Sequence, residues 1–161
     1  MNLYLLRHGD AMEAGYDDAE RPLSPLGENQ AAQAGLALQR LDVFPDIIVS
    51  SPLVRAKQTA MAVQQILQKP EISISEYLIP GTDQRQLLEL LNNISRQTVL
   101  LVGHEPLLST FISSLVSGSM SARIAMNKGS LARLDTPRPI AGGVCSLRWL
   151  LTAEQLEKLL R

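Results

Sequence analysis

The sequence predicts an α/β fold in which a mostly parallel sheet lies between two layers of helices. Short apolar runs alternate along the chain with longer segments of helical spacing, and this alternation is typical of parallel strands joined by crossover helices. The 161 residues, 45% of them hydrophobic and 19% charged, suffice for one domain of ordinary size. We therefore expect a single domain over residues 1–161, built as a three-layer α/β/α sandwich.

Three strands and two helices are predicted in the first half of the chain. The strands are the apolar runs Asn2–Leu6, Asp46–Ser50 and Ile72–Ser75. Ser24 and Pro25 are a typical N-cap and first helical residue, and they predict a helix that ends at Leu41. Ser51 and Pro52 form the same pair, so we expect the second helix to be capped at Ser51.

The second half continues the alternation of strands and helices. The predicted elements are a helix over Asp83–Asn93, a very apolar strand over Thr98–Gly103, a helix opened by Glu105 and Pro106, strands over Gly129–Asp135 and Val144–Leu151, and a short final helix from Thr152. No internal repeat or low-complexity segment interrupts the pattern.

The composition excludes several classes of function. With 15 Lys and Arg against 16 Asp and Glu, the net charge of −1 leaves no basic surplus for nucleic acid. One cysteine and two histidines rule out a disulfide framework and disfavour a histidine-based metal site, so we expect no metal and no cofactor. The apolar runs are too short for a membrane span or a signal peptide, which predicts a cytoplasmic protein.

The two histidines each follow the end of a predicted strand. His8 comes after the first strand and His104 after the fourth. Ligands of open α/β sheets bind beyond the carboxyl ends of the strands, so both side chains are expected at such a site. A structural histidine in the core is the alternative for either ring alone, and their equivalent positions favour the functional interpretation.

Two arginines fall at the same edge of the predicted sheet. Arg7 precedes His8, and Arg55 lies in the first turn of the second predicted helix, whose N-terminus favours an anion. Guanidinium groups match phosphate oxygens in a bidentate geometry. A solvated surface arginine is the alternative for each, but together with the histidines they predict a phosphate pocket.

Three motifs in this order resemble a known family. Arg7-His8-Gly9 after an N-terminal strand, the stretch SSPLVRAKQTA over 50–60, and Gly103-His104-Glu105-Pro106 are similar to the motifs of the histidine phosphatase superfamily, the phosphoglycerate mutase-like proteins. The small size and the segment DAERPLS over 18–24 are similar to the SixA-type phosphohistidine phosphatases. The resemblance covers most of the chain and implies the phosphoglycerate mutase-like fold.

The resemblance also implies a mechanism and a set of site residues. His8 would be the nucleophile that carries the phosphoryl group, while Arg7, Arg55 and His104 would bind the phosphoryl oxygens and stabilise their charge. Gly9 belongs to the implied phosphate-binding motif. The family-like segment adds Arg21 as a further phosphate ligand, with an exposed loop arginine as the alternative.

A general acid for the leaving group is the least defined part of the predicted site. Glu76 is the nearest match to the carboxylate of larger relatives, followed by Asp83 and Asp18, and a solvated surface carboxylate is the alternative for each. Imidazole is a comparatively good leaving group, so a weak or missing acid fits a phosphohistidine substrate better than an alkyl phosphate ester. The short chain also leaves little material for a lid.

These features together predict a metal-independent phosphohistidine phosphatase. Its partner would be a phosphohistidine-bearing protein, either a phosphorelay domain or a phosphocarrier, and not nucleic acid or a membrane. A small-molecule phosphomonoesterase or mutase of the same superfamily is the first alternative. A non-enzymatic phosphoprotein-binding module is the second, although binding alone does not require a nucleophile.

Overall fold

The computed structural model describes residues 1–68 and 70–161, which form one six-stranded sheet with helices packed on it. The strands are β1 (Asn2–Arg7), β2 (Ile47–Ser50), β3 (Glu71–Ile74), β4 (Thr98–Gly103), β5 (Leu131–Asp135) and β6 (Ser146–Leu151). The helices are α1 (Pro25–Arg40), α2 (Val54–Leu67), α3 (Gln84–Asn93), α4 (Leu107–Ser117) and α5 (Ala153–Leu159). Short 3₁₀ turns occupy Asp18–Glu20 and Glu76–Leu78. No helix in these ranges is long and apolar enough to cross a membrane.

The order of the strands places β4 and β1 at the centre of the sheet. The order is β3-β2-β4-β1-β5-β6, with β1 to β4 parallel and β5 antiparallel to both of its neighbours. The predicted mostly parallel sheet is therefore confirmed. β1 and β4 pair so that Arg7 lies beside Gly103. The residues that follow, His8 and His104, consequently leave the sheet side by side.

Both faces of the sheet are covered, as a three-layer sandwich requires. One core lies between the sheet and the helices α3 and α4, where Leu91 and Phe111 are buried. The other lies under α1, α2 and α5, where Leu38, Val63 and Leu156 are buried. This burial explains why the central strands are apolar on both faces instead of alternating with polar residues. The α/β/α prediction is confirmed.

One predicted helix start is wrong, and the difference bears on the site. Ser24 caps α1 as expected, since its side chain accepts from the amide of Gly27. α2 does not begin at Ser51: its first residue is Val54 and its N-cap is Leu53. The amide of Ser51 donates to the carbonyl of Val102 at 3.0 Å, so Ser51 continues the pairing with β4 just past the end of β2. Ser51 is therefore not the N-cap of α2.

Candidate active site

The sheet brings the two histidines into contact at the carboxyl ends of β1 and β4. The ring centroids of His8 and His104 are 4.8 Å apart, with their planes inclined by 53°. The side chains are buried, at 6% and 2% exposure respectively. The amide of His8 also donates to the carbonyl of Gly103 at 3.1 Å, which continues the strand pairing to the residue before His104.

The hydrogen bonds of His8 define which nitrogen carries its proton. Nδ1 lies 2.6 Å from the carbonyl oxygen of Gly9, and because a carbonyl only accepts, Nδ1 carries the hydrogen. Nε2 accepts from Nε–H of Arg55 at 3.3 Å and therefore holds the lone pair. Burial lowers the pKa of His8 from 6.5 to about 4, and Arg55 adds to the shift. His8 is thus a neutral imidazole at pH 7 with its electron pair on Nε2.

Arg55 lies in the first turn of α2 and is held from two sides. Besides its bond to His8, Nη1 donates to the backbone carbonyl of Asp18 at 2.6 Å, and Nη2 donates to the Asp18 carboxylate at 3.2 Å. The Arg55 side chain is only 7% exposed, whereas that of Asp18 is 69% exposed. An exposed carboxylate therefore covers a buried guanidinium next to His8.

Two polar atoms of the site are buried without a partner among the described residues. They are Nε of Arg7 and Nδ1 of His104. Arg7 uses Nη1 to donate to the carbonyl of Met126 at 2.8 Å, and His104 uses Nε2 in a hydrogen bond with Ser51 at 2.8 Å. Buried polar groups normally have partners, so two exceptions within one site are suited to a ligand that supplies hydrogen-bond acceptors.

His104 is also neutral in the structure. Burial lowers its pKa from 6.5 to about 3, and repulsion by the Arg55 guanidinium and by a protonated His8 contributes in the same direction. A neutral ring has a single N–H. His104 therefore acts on a ligand as a hydrogen-bond donor only if that hydrogen is on the nitrogen that faces the ligand.

Arg21 is linked to the site through Asp18. Its Nε donates to the carbonyl of Met12 at 2.6 Å and its Nη1 donates to the Asp18 carboxylate at 3.1 Å. Asp18 thus lies between Arg21 and Arg55. Burial alone would raise the pKa of Asp18, but the hydrogen bonds and charges of the two arginines outweigh it and hold the pKa below its usual value.

The structure shows no polar contact between Glu76 and the histidines among the described residues. Its side chain is exposed at the start of a 3₁₀ turn, and within residues 1–68 and 70–161 its carboxylate forms no hydrogen bond or ion pair with the site. Asp83 caps α3 and pairs with Arg85. Of the three carboxylates considered from the sequence, Asp18 is the one that contacts an arginine of the site.

Gly9 is required for a close approach of two segments. A Cβ at Gly9 would lie 2.4 Å from the carbonyl oxygen of Gly27, at the start of α1. The amide of Gly9 donates to Oγ1 of Thr59 on α2 at 3.2 Å, so it is already used in the ligand-free protein. The structure therefore gives Gly9 a steric reason to be glycine in addition to the predicted role in phosphate binding.

Sequence reasoning missed a cation that lies near His8. Nζ of Lys128 pairs with the Asp10 carboxylate at 2.6 Å, and the charge of Lys128 contributes to the lowered pKa of His8. The loop that carries Lys128 is held beside β1 by the amide of Gly129, which donates to the carbonyls of Arg7 and His8. No local pattern marks Lys128, because its partner lies 118 positions away in the chain.

No cluster of three or more His, Cys, Asp or Glu side chains in the described ranges is arranged to hold a metal ion. The groups assembled here are a neutral imidazole with a free electron pair, a second neutral imidazole and buried guanidinium groups. Such a set suits nucleophilic attack on a phosphoryl group, because cations and N–H donors stabilise its oxygens.

Comparison with known proteins agrees with this chemistry. Residues 3–79 match the model of the histidine phosphatase superfamily (branch 1). The chain is 31% identical to the phosphohistidine phosphatase SixA homolog of Haemophilus influenzae, over 71% of this chain and 77% of the relative. It is 29% identical to phosphohistidine phosphatase SixA of Escherichia coli, over 73% of this chain and 76% of the relative.

Solved structures share the whole fold. The structure of the protein histidine phosphatase SixA complexed with tungstate superimposes with a TM-score of 0.88 at 24% identity, covering 97% of this chain and 99% of the other. The putative phosphohistidine phosphatase SixA from Agrobacterium tumefaciens gives a TM-score of 0.74 at 27% identity, covering 94% and 97%. On these matches and on the site above, the chain belongs to the histidine phosphatase superfamily and is a SixA-like phosphatase.

Proposed function

We propose that this phosphatase hydrolyses phosphohistidine on a protein through a covalent intermediate on His8. The observation that carries the proposal is the state of His8: a buried, neutral imidazole whose Nε2 electron pair faces a guanidinium. A protonated imidazole has no electron pair to attack with, so the low pKa keeps the nucleophile active throughout the neutral range. The names of the SixA relatives support the choice of substrate.

The reaction proceeds as two displacements at phosphorus. Nε2 of His8 attacks, the P–N bond of the substrate breaks, and the electron pair of that bond returns to the leaving imidazole. Water then attacks the phosphorus on His8, the new N–P bond breaks, and inorganic phosphate leaves with neutral His8 restored. Nδ1–H of His8 stays bonded to Gly9 in both steps, which keeps the ring oriented.

Three side chains are suited to bind the transferred phosphoryl group. Arg55 contacts Nε2 of His8 directly, and the unpartnered Nε of Arg7 and Nδ1 of His104 are the buried groups that phosphoryl oxygens would satisfy. Donors of this kind are effective in a water-poor site, where they stabilise the charge of the transition state without reorganising. Arg21 would join them when Asp18 is displaced.

Among the described residues, no carboxylate is hydrogen-bonded to the ring of His8, and this supports phosphohistidine as the substrate. Glu76 is exposed and does not contact the described site residues, and Asp18 is held ionised by arginines, so neither is a ready acid in the free protein. An alkoxide needs a proton to leave, and general acid help is typically worth ~10²–10⁴-fold. A phosphohistidine ring already protonated on its other nitrogen leaves as neutral imidazole and needs no acid.

The partner in this proposal is a phosphorelay domain or a phosphocarrier that carries phosphohistidine. Such a protein presents its phosphoryl group at the tip of an imidazole side chain, which reaches a buried nucleophile without a lid. We propose that the reaction takes place in the cytoplasm and uses no metal, since guanidinium groups and N–H donors supply the charge that a metal would supply.

A comparison of three substrates tests the proposal. Wild type and His8→Ala are incubated with a phosphohistidine-bearing phosphocarrier, with p-nitrophenyl phosphate and with phosphoglycerate, each with and without EDTA. We expect fast loss of phosphate from the phosphocarrier, much slower release from the esters, no turnover by His8→Ala and no effect of EDTA. Faster hydrolysis of an ester would establish the small-molecule alternative, and saturable binding without turnover would establish a binding module.

A further inference from the structure

Ser51 is a buried residue that contacts the second histidine of the site. It follows β2 and is 0% exposed, and its amide donates to the carbonyl of Val102 on β4, the strand that ends before His104. Its position relative to His104 is therefore fixed by the sheet and does not depend on the rotation of a mobile loop.

The hydroxyl of Ser51 has two neighbours, and they determine where its proton goes. Oγ accepts from the amide of Leu53 at 3.3 Å and lies 2.8 Å from Nε2 of His104. In the described part of the chain, Nε2 is the acceptor within reach of this hydroxyl. If Nε2 carried the ring hydrogen, it would donate to Oγ, and the hydroxyl hydrogen would be buried without an acceptor. The arrangement with Nε2 as acceptor satisfies all three groups.

A neutral imidazole with Nε2 as acceptor carries its hydrogen on Nδ1. Nδ1 is the atom of His104 that is buried and unpartnered in the ligand-free site. A hydrogen there is attracted to a phosphoryl oxygen, whereas an electron pair there is repelled by it. The choice of tautomer therefore decides whether His104 stabilises or destabilises a bound phosphoryl group.

We propose that Ser51 is a positioning residue that holds His104 in its Nδ1–H tautomer and so prepares it to donate to the phosphoryl group on His8. This inference rests on the proposed function for its catalytic consequence, but the tautomer itself is a property of the free protein. Because Ser51 acts through His104, its removal leaves the nucleophile His8 and both arginines in place.

Nitrogen NMR of the two histidines tests the proposal directly. The chain has only two histidines, so long-range proton–nitrogen correlations on ¹⁵N-histidine protein give two ring patterns, which His8→Ala assigns. We expect Nδ1–H for His104 in the wild type. In Ser51→Ala we expect a mixture of tautomers or Nε2–H. A wild-type His104 with its hydrogen on Nε2, or an unchanged tautomer in Ser51→Ala, overturns the proposal.

Ser50→Ala is the matched control. Ser50 is the neighbouring residue and is equally buried, and its hydroxyl donates to the backbone carbonyl of Ser51. Among the described residues it forms no hydrogen bond with His104. The Ser50→Ala substitution removes a buried hydroxyl of the same kind and should leave the His104 tautomer unchanged. Ser51→Thr retains the hydroxyl and should retain Nδ1–H, which separates the hydrogen bond from a general loss of packing.

Kinetics on phosphohistidine protein measure the consequence. We expect kcat of Ser51→Ala to fall about tenfold with a smaller change in KM, the size of one neutral hydrogen bond, and Ser51→Thr to recover most of it. The NMR signal of the Nδ1 proton of His104 can also be followed while inorganic phosphate is added. A shift of this signal reports the hydrogen bond from His104 to a phosphate oxygen without turnover. If His104 of the wild type carries its hydrogen on Nδ1 but the protein does not hydrolyse phosphohistidine, the proposed function alone is refuted. A normal kcat in Ser51→Ala would refute the role of Ser51.

Discussion

His8 and His104 occupy equivalent places in the fold but are held by different groups. Each follows a central parallel strand, each is buried, and each has a pKa far below 6.5. His8 gives its Nδ1 hydrogen to a backbone carbonyl and keeps an electron pair on Nε2. His104 uses Nε2 with a serine hydroxyl and leaves Nδ1 without a partner.

This difference shows how one residue type serves two purposes in one site. A backbone carbonyl only accepts, so the main chain at Gly9 fixes the tautomer of His8. The tautomer of His104 depends on one side chain. A point mutation of a side chain can therefore change the tautomer of His104 more easily than that of the nucleophile His8.

The largest expected effect is on the covalent step. His8→Ala should abolish turnover and leave no phosphoenzyme, whereas His104→Ala should slow the reaction by about 10²–10³-fold, the usual cost of one transition-state donor, and still form phosphoenzyme. Acid-quenched reactions analysed for phosphohistidine distinguish the two variants. Phosphoenzyme in His8→Ala would show that the two rings have been assigned the wrong way round.

Arg55 is expected to come next, because it acts on His8 as well as on the phosphoryl group. Loss of a charge-assisted bond costs about 1.5–3 kcal/mol, so Arg55→Ala should lower kcat/KM by about ten- to a hundredfold. The pKa of His8 should rise in the same variant, since Arg55 contributes to lowering it. The activity assay and an NMR titration of His8 measure these two effects.

Arg7→Ala provides the matched comparison for Arg55. Arg7 also lowers the pKa of His8, but burial and Arg55 contribute more. A similar loss of activity with a smaller change in the His8 titration is therefore expected. Equal shifts of the His8 pKa in both variants would contradict the direct Arg55–Nε2 contact.

The low pKa values of the two histidines predict a dependence of stability on pH. Between the folded values of about 4 and 3 and the ordinary value of 6.5, the unfolded chain binds more protons than the folded protein. The free energy of unfolding should therefore fall as the pH drops below 6.5, by up to about 1.4 kcal/mol per pH unit for each histidine.

Urea unfolding between pH 4 and pH 7 measures this slope. His104→Gln removes one of the two titrating rings and should reduce the contribution of the histidines by about half. Activity should stay constant down to about pH 5, because His8 is still neutral there, and should fall as the pH approaches 4. A loss of activity centred at pH 6.5 would mean that His8 is solvated.

The parts of the site that sequence could predict are those that local pattern encodes. His8, His104 and Arg55 follow strand ends or open a helix, and the parallel order of the sheet then brings them together. The contacts of Lys128 and Asp18 depend on loop paths that no periodicity describes. Ser-Pro is a common helix start and predicts Ser51 as a cap, whereas in the structure the sheet holds Ser51 beside His104.

A substitution of Asp18 tests whether its carboxylate competes with a phosphoryl group for the arginines of the site. Its carboxylate lies between Arg55 and Arg21, so a phosphoryl group must compete with it. Asp18→Asn should tighten the binding of inorganic phosphate by up to about fivefold, a small effect because the carboxylate is largely exposed and screened by solvent. Calorimetric titration measures the affinity, and Asp17→Asn controls for the loss of one charge nearby.

Glu76 is expected to have the smallest effect, and the size of that effect depends on the substrate. Its exposed carboxylate does not contact the described site residues, so Glu76→Gln should change the rate on phosphohistidine protein by less than about twofold. If Glu76 were the acid of a phosphomonoesterase, the same variant would lose ester hydrolysis, since alkoxide leaving groups depend on protonation. Measuring both substrates with Glu76→Gln and Asp18→Asn therefore separates the two alternatives. A loss of about tenfold or more on phosphohistidine with Glu76→Gln would show that this carboxylate moves to the site when substrate binds.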